Sequence, residues 1–458
     1  MTAIARTAAF TALRDVTERR KYTNLALQHV LQQHTLSPRD RALCTEIVYG
    51  TVQRQRSLDA LIQPLLSRSL EDLDTAVLTI LRMTVYQLAF LDKVPPYAAI
   101  HDAVELTKQS SRKATGFVNG VLRNFARDKR PARERLAQLA DRCATWADKI
   151  GLLHSYPTWL IASWESAFGR ERAVALAEAC NQPSGFSARV NLLRTSREDV
   201  LAELRHEYGD VAEPSRLAAS GIRFYSGLDI HKWSALQDGR VTIQDEGAML
   251  VAPLLNPQPG QRILDMCAGL GTKTTHIAEL QGDEGVVEAC DIHPHKLQHL
   301  RAAVQRMGLQ SIRVTLADAR SLPDRPGAEE RYDAVLLDAP CSGFGVLRHR
   351  PDIRWKRTQD DVRSLTQLQR ELLQSAARLV KPGGVVVYCT CTMMPEENEE
   401  LVESVLADPT TGLTWADWNG VVEEDMAVRA EAGRGLLLTP ELFGTDGFYM
   451  ARLRKKLS

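Results

Sequence analysis

The chain of 458 residues is too long for one ordinary hydrophobic core, and its length predicts two or three domains. Its composition, with 44% hydrophobic and 25% charged residues, is that of a globular protein, and its eight cysteines include no C-x-x-C pair of the zinc-binding kind. Arg82 interrupts the longest apolar run, Ala76 to Phe90, and the N-terminus lacks the layout of a secretory signal. We therefore expect a cytoplasmic protein without a membrane span, a disulfide framework or a metal site.

Charge is placed unevenly along the chain, although the net charge is zero. Residues 1–150 hold 23 Lys and Arg against 15 Asp and Glu, whereas the remaining residues hold 34 against 42. A basic front part on a mildly acidic body is typical of a polyanion-binding module attached to a catalytic domain. Ordinary scatter of surface charge explains the counts equally well.

The front part, residues 1–145, is predicted to be all-helical. Leu78, Leu81, Val85 and Leu88 recur at helical spacing, and Pro96 is placed for the start of a further helix. Residues 115–127 predict another helix. Basic residues lie in this helix or just after it: Arg123, Arg127, Lys129, Arg130, Arg133 and Arg135. Such a helix can line an RNA backbone, and it can equally be a solvated face.

Several strings in this part resemble the NusB-type RNA-binding helical domain. They are Arg39-Asp40-Arg41-Ala42-Leu43, Val48-Tyr49-Gly50-Thr51, Val94-Pro95-Pro96-Tyr97 and Phe117-Val118-Asn119-Gly120-Val121-Leu122-Arg123. The resemblance implies that residues 1–145 form a NusB-like domain that binds RNA.

Residues 146–240 are predicted to form a small α+β module. A helix opens at Tyr156-Pro157 and ends near Gly169, and residues 186–191 alternate like a strand. Ser196 is placed to cap a helix over residues 197–207.

From residue 241 to residue 458 strands and helices alternate, which predicts a doubly wound, Rossmann-like α/β domain. Helices are predicted at 273–280 and 361–379, and residues 381–384 are predicted to form a turn. The predicted strands are Arg262–Asp265, Val286–Asp291, Ile312–Asp318, Ala334–Asp338 and Val385–Thr390.

Acids at the ends of these strands predict a nucleoside site. Gly269 and Gly271 follow the first strand, where bare backbone and a helix N-terminus meet a nucleotide-like ligand, although such turns need glycine for their geometry anyway. Asp291 ends the second strand 20 residues past Gly271, where an acid binds ribose hydroxyls. Asp318 is placed for an adenine amino group, and Asp338 completes the row.

Two thiols are predicted to face the same crevice. Cys341 closely follows Asp338, and Cys391 ends the fifth strand, so each lies at the carboxyl end of a strand. Cys389, two residues deeper, is interpreted as a small core residue. A thiolate at position 391 could attack an electrophilic ring carbon.

This part of the chain resembles the RNA methyltransferases that use S-adenosylmethionine to make 5-methylcytosine. With the NusB-like front, the resemblance narrows to the bacterial enzymes that act on 16S ribosomal RNA of the small subunit. The matching strings are Asp265-Met266-Cys267-Ala268-Gly269-Leu270-Gly271-Thr272-Lys273-Thr274, Asp338-Ala339-Pro340-Cys341-Ser342-Gly343-Phe344-Gly345, Arg350-Pro351-Asp352-Ile353-Arg354-Trp355, Tyr388-Cys389-Thr390-Cys391-Thr392, Glu397-Asn398-Glu399 and Gly444-Thr445-Asp446-Gly447-Phe448.

The resemblance implies the reaction and its residues. Cys391 would add to carbon 6 of a cytosine that has left its base stack. This addition would make carbon 5 nucleophilic. Cys341 would assist the later release of Cys391 from carbon 6. Asp338 would bind the polar edge of the cytosine or the amino group of the cofactor. The residues implied to hold the cofactor are Cys267, Ala268, Gly269, Leu270, Gly271, Thr272, Lys273, Asp291, Asp318 and Asp338.

Two features leave alternatives open. The family usually has Pro-Gly-Gly-Lys where this chain has Leu270-Gly271-Thr272-Lys273, so a non-catalytic RNA-binding or ribosome-assembly factor is the second hypothesis. The Arg189-Val190-Asn191 string resembles the family's lead-in element, which borders the RNA-facing side of the site, and a solvated strand position explains Arg189 equally well. A monomer is expected.

Overall fold

The computed structural model describes residues 4–225, 230–422, 429–430 and 435–457. It divides into two compact units, Met1–Gln182 with Leu347–Lys356, and Pro183–Val346 with Arg357–Ser458. The three-domain division of the sequence stays a prediction. No helix among the described residues is long and apolar enough to cross a membrane.

The first unit is helical throughout its described part, and the prediction that residues 1–145 are helical is confirmed for the described residues among them. The helix predicted at 115–127 is present with those bounds, and Ser37 and Asp74 cap helices by accepting hydrogen bonds from backbone N–H groups two or three residues ahead. Its α-helices are Ile4–Glu18, Thr23–Gln33, Pro38–Gln53, Gln55–Ile62, Thr75–Phe90, Pro96–Ser110, Thr115–Arg127, Ala132–Ala140, Trp146–His154, Thr158–Phe168, Arg170–Ala179 and Ile353–Lys356.

A segment of the later sequence, Leu347–Lys356, belongs to this helical unit. The Arg354 guanidinium is buried 4.0 Å from the ring centroid of Tyr156 and donates to the Ser155 carbonyl at 3.1 Å. Trp355 donates its ring N–H to the Val52 carbonyl at 2.7 Å. The Arg-Pro-Asp-Ile-Arg-Trp string is therefore a packing element of the helical unit.

The second unit begins with a small antiparallel sheet of order β2-β3-β1-β4. Ser196 caps the helix Arg197–Tyr208 through the Asp199 N–H, which confirms the predicted cap. The strands are β1 Ser187–Val190, β2 Ala212–Pro214, β3 Gly221–Phe224 and β4 Val241–Ile243.

The larger sheet of this unit has the order β10-β12-β9-β8-β5-β6-β7, with β11 paired to β12. Strands β5 to β9 run parallel, and β10, β11 and β12 add antiparallel pairs at one side. The strands are β5 Arg262–Asp265, β6 Val286–Asp291, β7 Ile312–Leu316, β8 Tyr332–Asp338, β9 Val380–Thr390, β10 Leu413–Trp415, β11 Leu436–Leu438 and β12 Phe448–Lys455. The predicted Rossmann-like architecture is confirmed.

Helices pack on this sheet. Two predictions of local structure, a turn at residues 381–384 and the end of the third parallel strand, differ from the structure. Residues 381–384, predicted as a turn, lie within β9, and β7 ends at Leu316, so Asp318 lies beyond the strand. The α-helices of the unit are Arg197–Tyr208, Ser234–Gln237, Glu246–Met249, Val251–Leu255, Thr272–Leu280, Pro294–Met307, Gln359–Leu379, Glu399–Leu406 and Pro440–Phe443.

Candidate active site

The predicted site residues other than Asp318 gather where the parallel sheet reverses its direction of growth. The chain runs outward from β5 to β7 and then returns to place β8 on the other side of β5. Ligands of open α/β sheets bind in the crevice beyond the carboxyl ends of the strands at such a switch point. Residues that follow β5, β8 and β9 therefore share one edge.

The glycine loop after β5 is held by backbone geometry. Gly269 and Gly271 have φ values of 57° and 87°, in the left-handed region that favours glycine. A Cβ added at Gly271 would lie 2.0 Å from Cδ1 of Leu300, so a side chain is excluded there on two grounds. The helix Thr272–Leu280 starts directly after the loop, so its first backbone N–H groups, which have no partner within the helix, lie at this end of the strands.

Asp291 at the end of β6 is buried against this loop. Its carboxylate accepts hydrogen bonds from the N–H groups of Gly269 at 3.0 Å and His293 at 2.8 Å. Burial raises the pKa of Asp291, but these bonds and the nearby Lys296 ammonium outweigh it and hold the pKa below its usual range. The group is therefore an anion fixed beside the loop.

Lys273 and Asp338 form an ion pair at the centre of the edge. Nζ of Lys273 lies 2.7 Å from Oδ2 of Asp338 and 5.2 Å from the ring centroid of Phe448. Burial lowers the pKa of Lys273, but the charge of Asp338 outweighs it, and the net pKa is raised. Cys389 is buried, as expected, and its thiol donates to Oδ1 of Asp338 at 3.4 Å.

The two thiols at this edge are in contact. Sγ of Cys341 lies 3.4 Å from Sγ of Cys391, although the residues are 50 positions apart. The hydrogen bond with Cys391, together with burial, raises the pKa of Cys341 well above its usual value. Cys341 therefore stays protonated at neutral pH, beside a second sulfur that can accept its hydrogen.

The other loop residues have different environments. Leu270 is 56% exposed, and the pKa of the Cys267 thiol is raised well above its usual value by burial. Ala268 donates its N–H to the Cys290 carbonyl at 2.8 Å.

Asp318 caps a short helical turn and pairs with Arg320 at 2.7 Å, at the far side of the parallel strands.

The interpretation of Arg189 as a solvated strand residue is wrong, because its side chain is 0% exposed. The placement of the Arg189-Val190-Asn191 string at the RNA-facing side of the site stays a prediction. Arg189 pairs with Glu279 at 2.7 Å and also donates to Gln244, to Oγ1 of Thr275 and to the Thr272 carbonyl, the last at 2.8 Å. The residue thus joins β1 to the first turn of the helix that carries Lys273. Its partner Glu279 lies 90 residues away in sequence, so no local pattern could have revealed the pair.

A basic groove lies in the helical unit, between the helices Pro96–Ser110 and Thr115–Arg127. It has a volume of about 680 Å³, and its lining includes three cations and no carboxylate. Tyr97 at its rim is 78% exposed. The lining residues are Tyr97, Ile100, His101, Val104, Asn119, Arg123, Ala126, Arg127 and Lys129.

Arg130 and Arg135 of the predicted basic face are engaged elsewhere. Nη2 of Arg130 lies 2.6 Å from Oδ2 of Asp128, and Nε of Arg135 lies 3.4 Å from the same oxygen. Within the described part of the chain, no group of His, Cys, Asp and Glu is arranged to hold a metal ion.

The fold belongs to the class of Rossmann-like α/β proteins, whose ligands bind beyond the carboxyl ends of the parallel strands, and in this chain two thiols lie at that edge. The sequence matches the family model described as 16S rRNA methyltransferase RsmB/F over residues 252–454. It matches the NusB family over residues 3–127 and the RsmF/B-like ferredoxin-like domain over residues 156–231.

Curated relatives match along the whole chain. A probable ribosomal RNA small subunit methyltransferase B of Bacillus subtilis is 36% identical and covers 98% of both chains, and one of Synechocystis is 39% identical and covers 98% of this chain and 99% of the relative. The Yersinia pseudotuberculosis ribosomal RNA small subunit methyltransferase B is 34% identical over 93% of this chain and 92% of the relative. The chain belongs to the RsmB/F family of 16S ribosomal RNA methyltransferases.

Solved structures show the same architecture. The crystal structure of PH0851 covers 99% of this chain and 100% of its own, with a TM-score of 0.82 and 26% identity. A methyltransferase homologue from Pyrococcus horikoshii covers 68% of this chain and 100% of its own, with a TM-score of 0.59 and 27% identity. The predictions of the fold class and of a ribosomal RNA methyltransferase are confirmed.

Proposed function

We propose that the protein methylates carbon 5 of a cytosine in 16S ribosomal RNA, with S-adenosylmethionine as the cofactor and Cys391 as a covalent nucleophile. The observation that carries the proposal is the contact of the Cys391 and Cys341 sulfurs, 3.4 Å apart beside the Lys273–Asp338 ion pair. A neutral thiol and a nucleophilic sulfur in contact suit a reaction in which a covalent bond is made and later broken.

Cys391 starts the reaction. Carbon 5 of cytosine is a weak nucleophile, so the Cys391 thiolate adds to carbon 6 and turns the ring into an enamine. S-adenosylmethionine, when bound, supplies the methyl group. A base, with water as the simplest candidate, then removes the proton from carbon 5, and the bond between Cys391 and carbon 6 breaks.

Asp338 and Lys273 prepare the ring for this addition. The Asp338 carboxylate binds the polar edge of the cytosine, and the Lys273 ammonium, 2.7 Å away, holds that carboxylate in place. An ion pair already in place needs no rearrangement as charge develops on the ring. Because Cys341 stays protonated, it can give a proton to the Cys391 sulfur as that sulfur leaves carbon 6 with the bonding electrons.

The loop from Cys267 to Lys273 and the acids beside it fit the cofactor by their chemistry. The anionic Asp291 suits ribose hydroxyls, and the bare backbone at Gly269 and Gly271 allows close approach. Asp338 is a second candidate partner for an amino group of the cofactor. Asp318 is partly exposed and pairs with Arg320, and it is the candidate partner for an adenine amino group.

The basic groove supplies the contact with RNA. Among the residues that the structure describes, Arg123 donates to Asn119 and pairs with no carboxylate, so its charge is available to a phosphate. Arg127 and Lys129 line the same groove, and the exposed Tyr97 ring offers a face on which a base can stack.

The test is mapping of 5-methylcytosine in 16S ribosomal RNA from a deletion strain that carries either the parent gene or Cys391→Ala. We expect one cytosine to be methylated with the parent and unmethylated with the variant. A non-catalytic assembly factor, the second hypothesis, predicts no difference between the two strains. Calorimetry with S-adenosylmethionine separates the hypotheses again, since a non-catalytic factor need not bind it.

A further inference from the structure

A buried carboxylate, that of Glu397, lies behind the two thiols and takes no part in the chemistry above. Its side chain is 0% exposed. It accepts a hydrogen bond from the Ser342 N–H at 2.8 Å and another from the Ser342 hydroxyl. Since Ser342 directly follows Cys341, Glu397 fixes the backbone on one side of that thiol.

The other side of Cys341 is fixed through the same carboxylate. Nε2 of Gln369 donates to Oε1 of Glu397 at 2.9 Å and to the Pro340 carbonyl at 2.9 Å. Gln369 and Glu397 together therefore hold the residues immediately before and after Cys341.

The network also reaches Cys391. The hydroxyls of Ser342 and Thr392 are hydrogen-bonded at 2.8 Å, and Thr392 directly follows Cys391. Nδ2 of Asn398, the residue after Glu397, donates to the Thr392 carbonyl at 3.0 Å. The residues that follow the two thiols are thus tied to each other and to one acid.

We propose that Glu397 is a positioning residue which, through Ser342 and Thr392, holds the Cys341 and Cys391 sulfurs in contact while the RNA adduct is made and released. This inference rests on the proposed roles of the two thiols. Displacement of a reacting atom by about 1 Å can lower a rate about 100-fold, so a network that fixes both sulfurs matters to the reaction. A residue that only stabilises the fold would affect all functions of the protein alike.

The experiment compares Glu397→Leu, Glu397→Gln and the control Asp333→Leu in the full-length protein. Glutamine keeps an acceptor for the Ser342 N–H, whereas leucine removes the network. Asp333 accepts a hydrogen bond from the Arg262 N–H at 2.8 Å at the opposite end of β8, so its loss weakens the same sheet away from the thiols. Three quantities are measured: the S-adenosylmethionine Kd, the single-turnover methylation rate, and the rate at which diamide joins Cys341 to Cys391.

Diamide takes one hydrogen from each of two thiols, joins the sulfurs as a disulfide and becomes a hydrazine. The linked peptides, located by fragmentation in a mass spectrometer, report the proximity of the sulfurs without any methylation. We expect Glu397→Leu to lower both rates about 10- to 100-fold with an unchanged cofactor Kd. Glu397→Gln should keep most of both rates, and Asp333→Leu should leave them unchanged per folded molecule.

Equal diamide rates in Glu397→Leu and the parent overturn the inference. So does a Glu397→Leu protein that loses cofactor binding in proportion to its methylation rate. A parent protein that makes no 5-methylcytosine contradicts the proposed function instead, and the diamide rates still decide the role of Glu397. If Glu397→Leu does not fold, Thr392→Val replaces it, with Thr392→Ser as the matched control that keeps the hydroxyl. A Thr392→Val protein with parental rates then overturns the inference.

Discussion

The groove of the helical unit and the edge of the parallel sheet use charge in opposite ways. In the groove, cations such as Arg123 and Arg127 are exposed and, within the described residues, pair with no carboxylate. At the sheet edge, Lys273 and Asp291 are buried and each is held by fixed partners. Exposed cations without a carboxylate partner suit the binding of a flexible polyanion. Buried charges with fixed partners suit a reaction whose rate depends on the distances between the reacting groups.

We expect the largest effect on the methylation rate from removal of Lys273, the fixed cation at the sheet edge. Lys273→Met leaves Asp338 without its 2.7 Å partner, and we expect the methylation rate with saturating substrates to fall about 10²- to 10³-fold. Lys296→Met, which removes a cation 3.7 Å from Asp291 at the same edge, is the matched control and should change the rate little. Equal losses in the two variants would show that overall charge, not the placed ion pair, is required.

Replacement of Asp291 tests whether the fixed charge beside the glycine loop contributes to the proposed binding of S-adenosylmethionine. If Asp291 binds the ribose hydroxyls as proposed, Asp291→Ala removes charge-assisted hydrogen bonds to the cofactor worth about 1.5–3 kcal/mol, so the S-adenosylmethionine Kd should rise about tenfold or more. Asp318→Ala, at a partly exposed position, is expected to have a smaller effect. Calorimetry gives both values, and an unchanged Kd in Asp291→Ala would rule out the ribose assignment.

The exposed cations of the groove should make the affinity for RNA depend on the salt concentration. Replacing Arg123, Arg127 and Lys129 with Ala should weaken RNA binding and flatten the dependence of log K on log salt by about 0.7 for each phosphate contact to single-stranded RNA that is lost. Arg130→Ala should have little effect, because Arg130 is paired with Asp128. Filter binding across a salt series measures both, and an unchanged slope in the triple variant means that RNA does not enter this groove.

How much the sequence could predict depends on the range of the interactions. The strand Val286–Asp291, the helix Thr115–Arg127 and the Ser196 cap were predictable because they depend on near neighbours. The burial of Arg189 and the packing of residues 347–356 were not, since their partners lie 90 and about 200 to 300 positions away. The Glu397 network shares this property, with Ser342 55 positions distant.

The smallest effect is expected at the loop positions that differ from the family's usual string. Leu270→Pro with Thr272→Gly should leave the S-adenosylmethionine Kd unchanged or slightly lower. The Leu270 side chain is largely exposed, and the turn itself depends on Gly269 and Gly271, which both stay. A Kd that rises severalfold in calorimetry would mean that Leu270 or Thr272 contributes to cofactor binding in this chain.

The covalent role of Cys391 is tested most directly by a denaturing gel of protein incubated with target RNA and S-adenosylmethionine. If Cys341 assists release, Cys341→Ala should form the bond between Cys391 and carbon 6 and then stall, which gives a slowly migrating protein–RNA band. The band should be absent from Cys391→Ala and from the double variant. A band that persists without Cys391, or no band in any variant with methylation intact, would contradict the account.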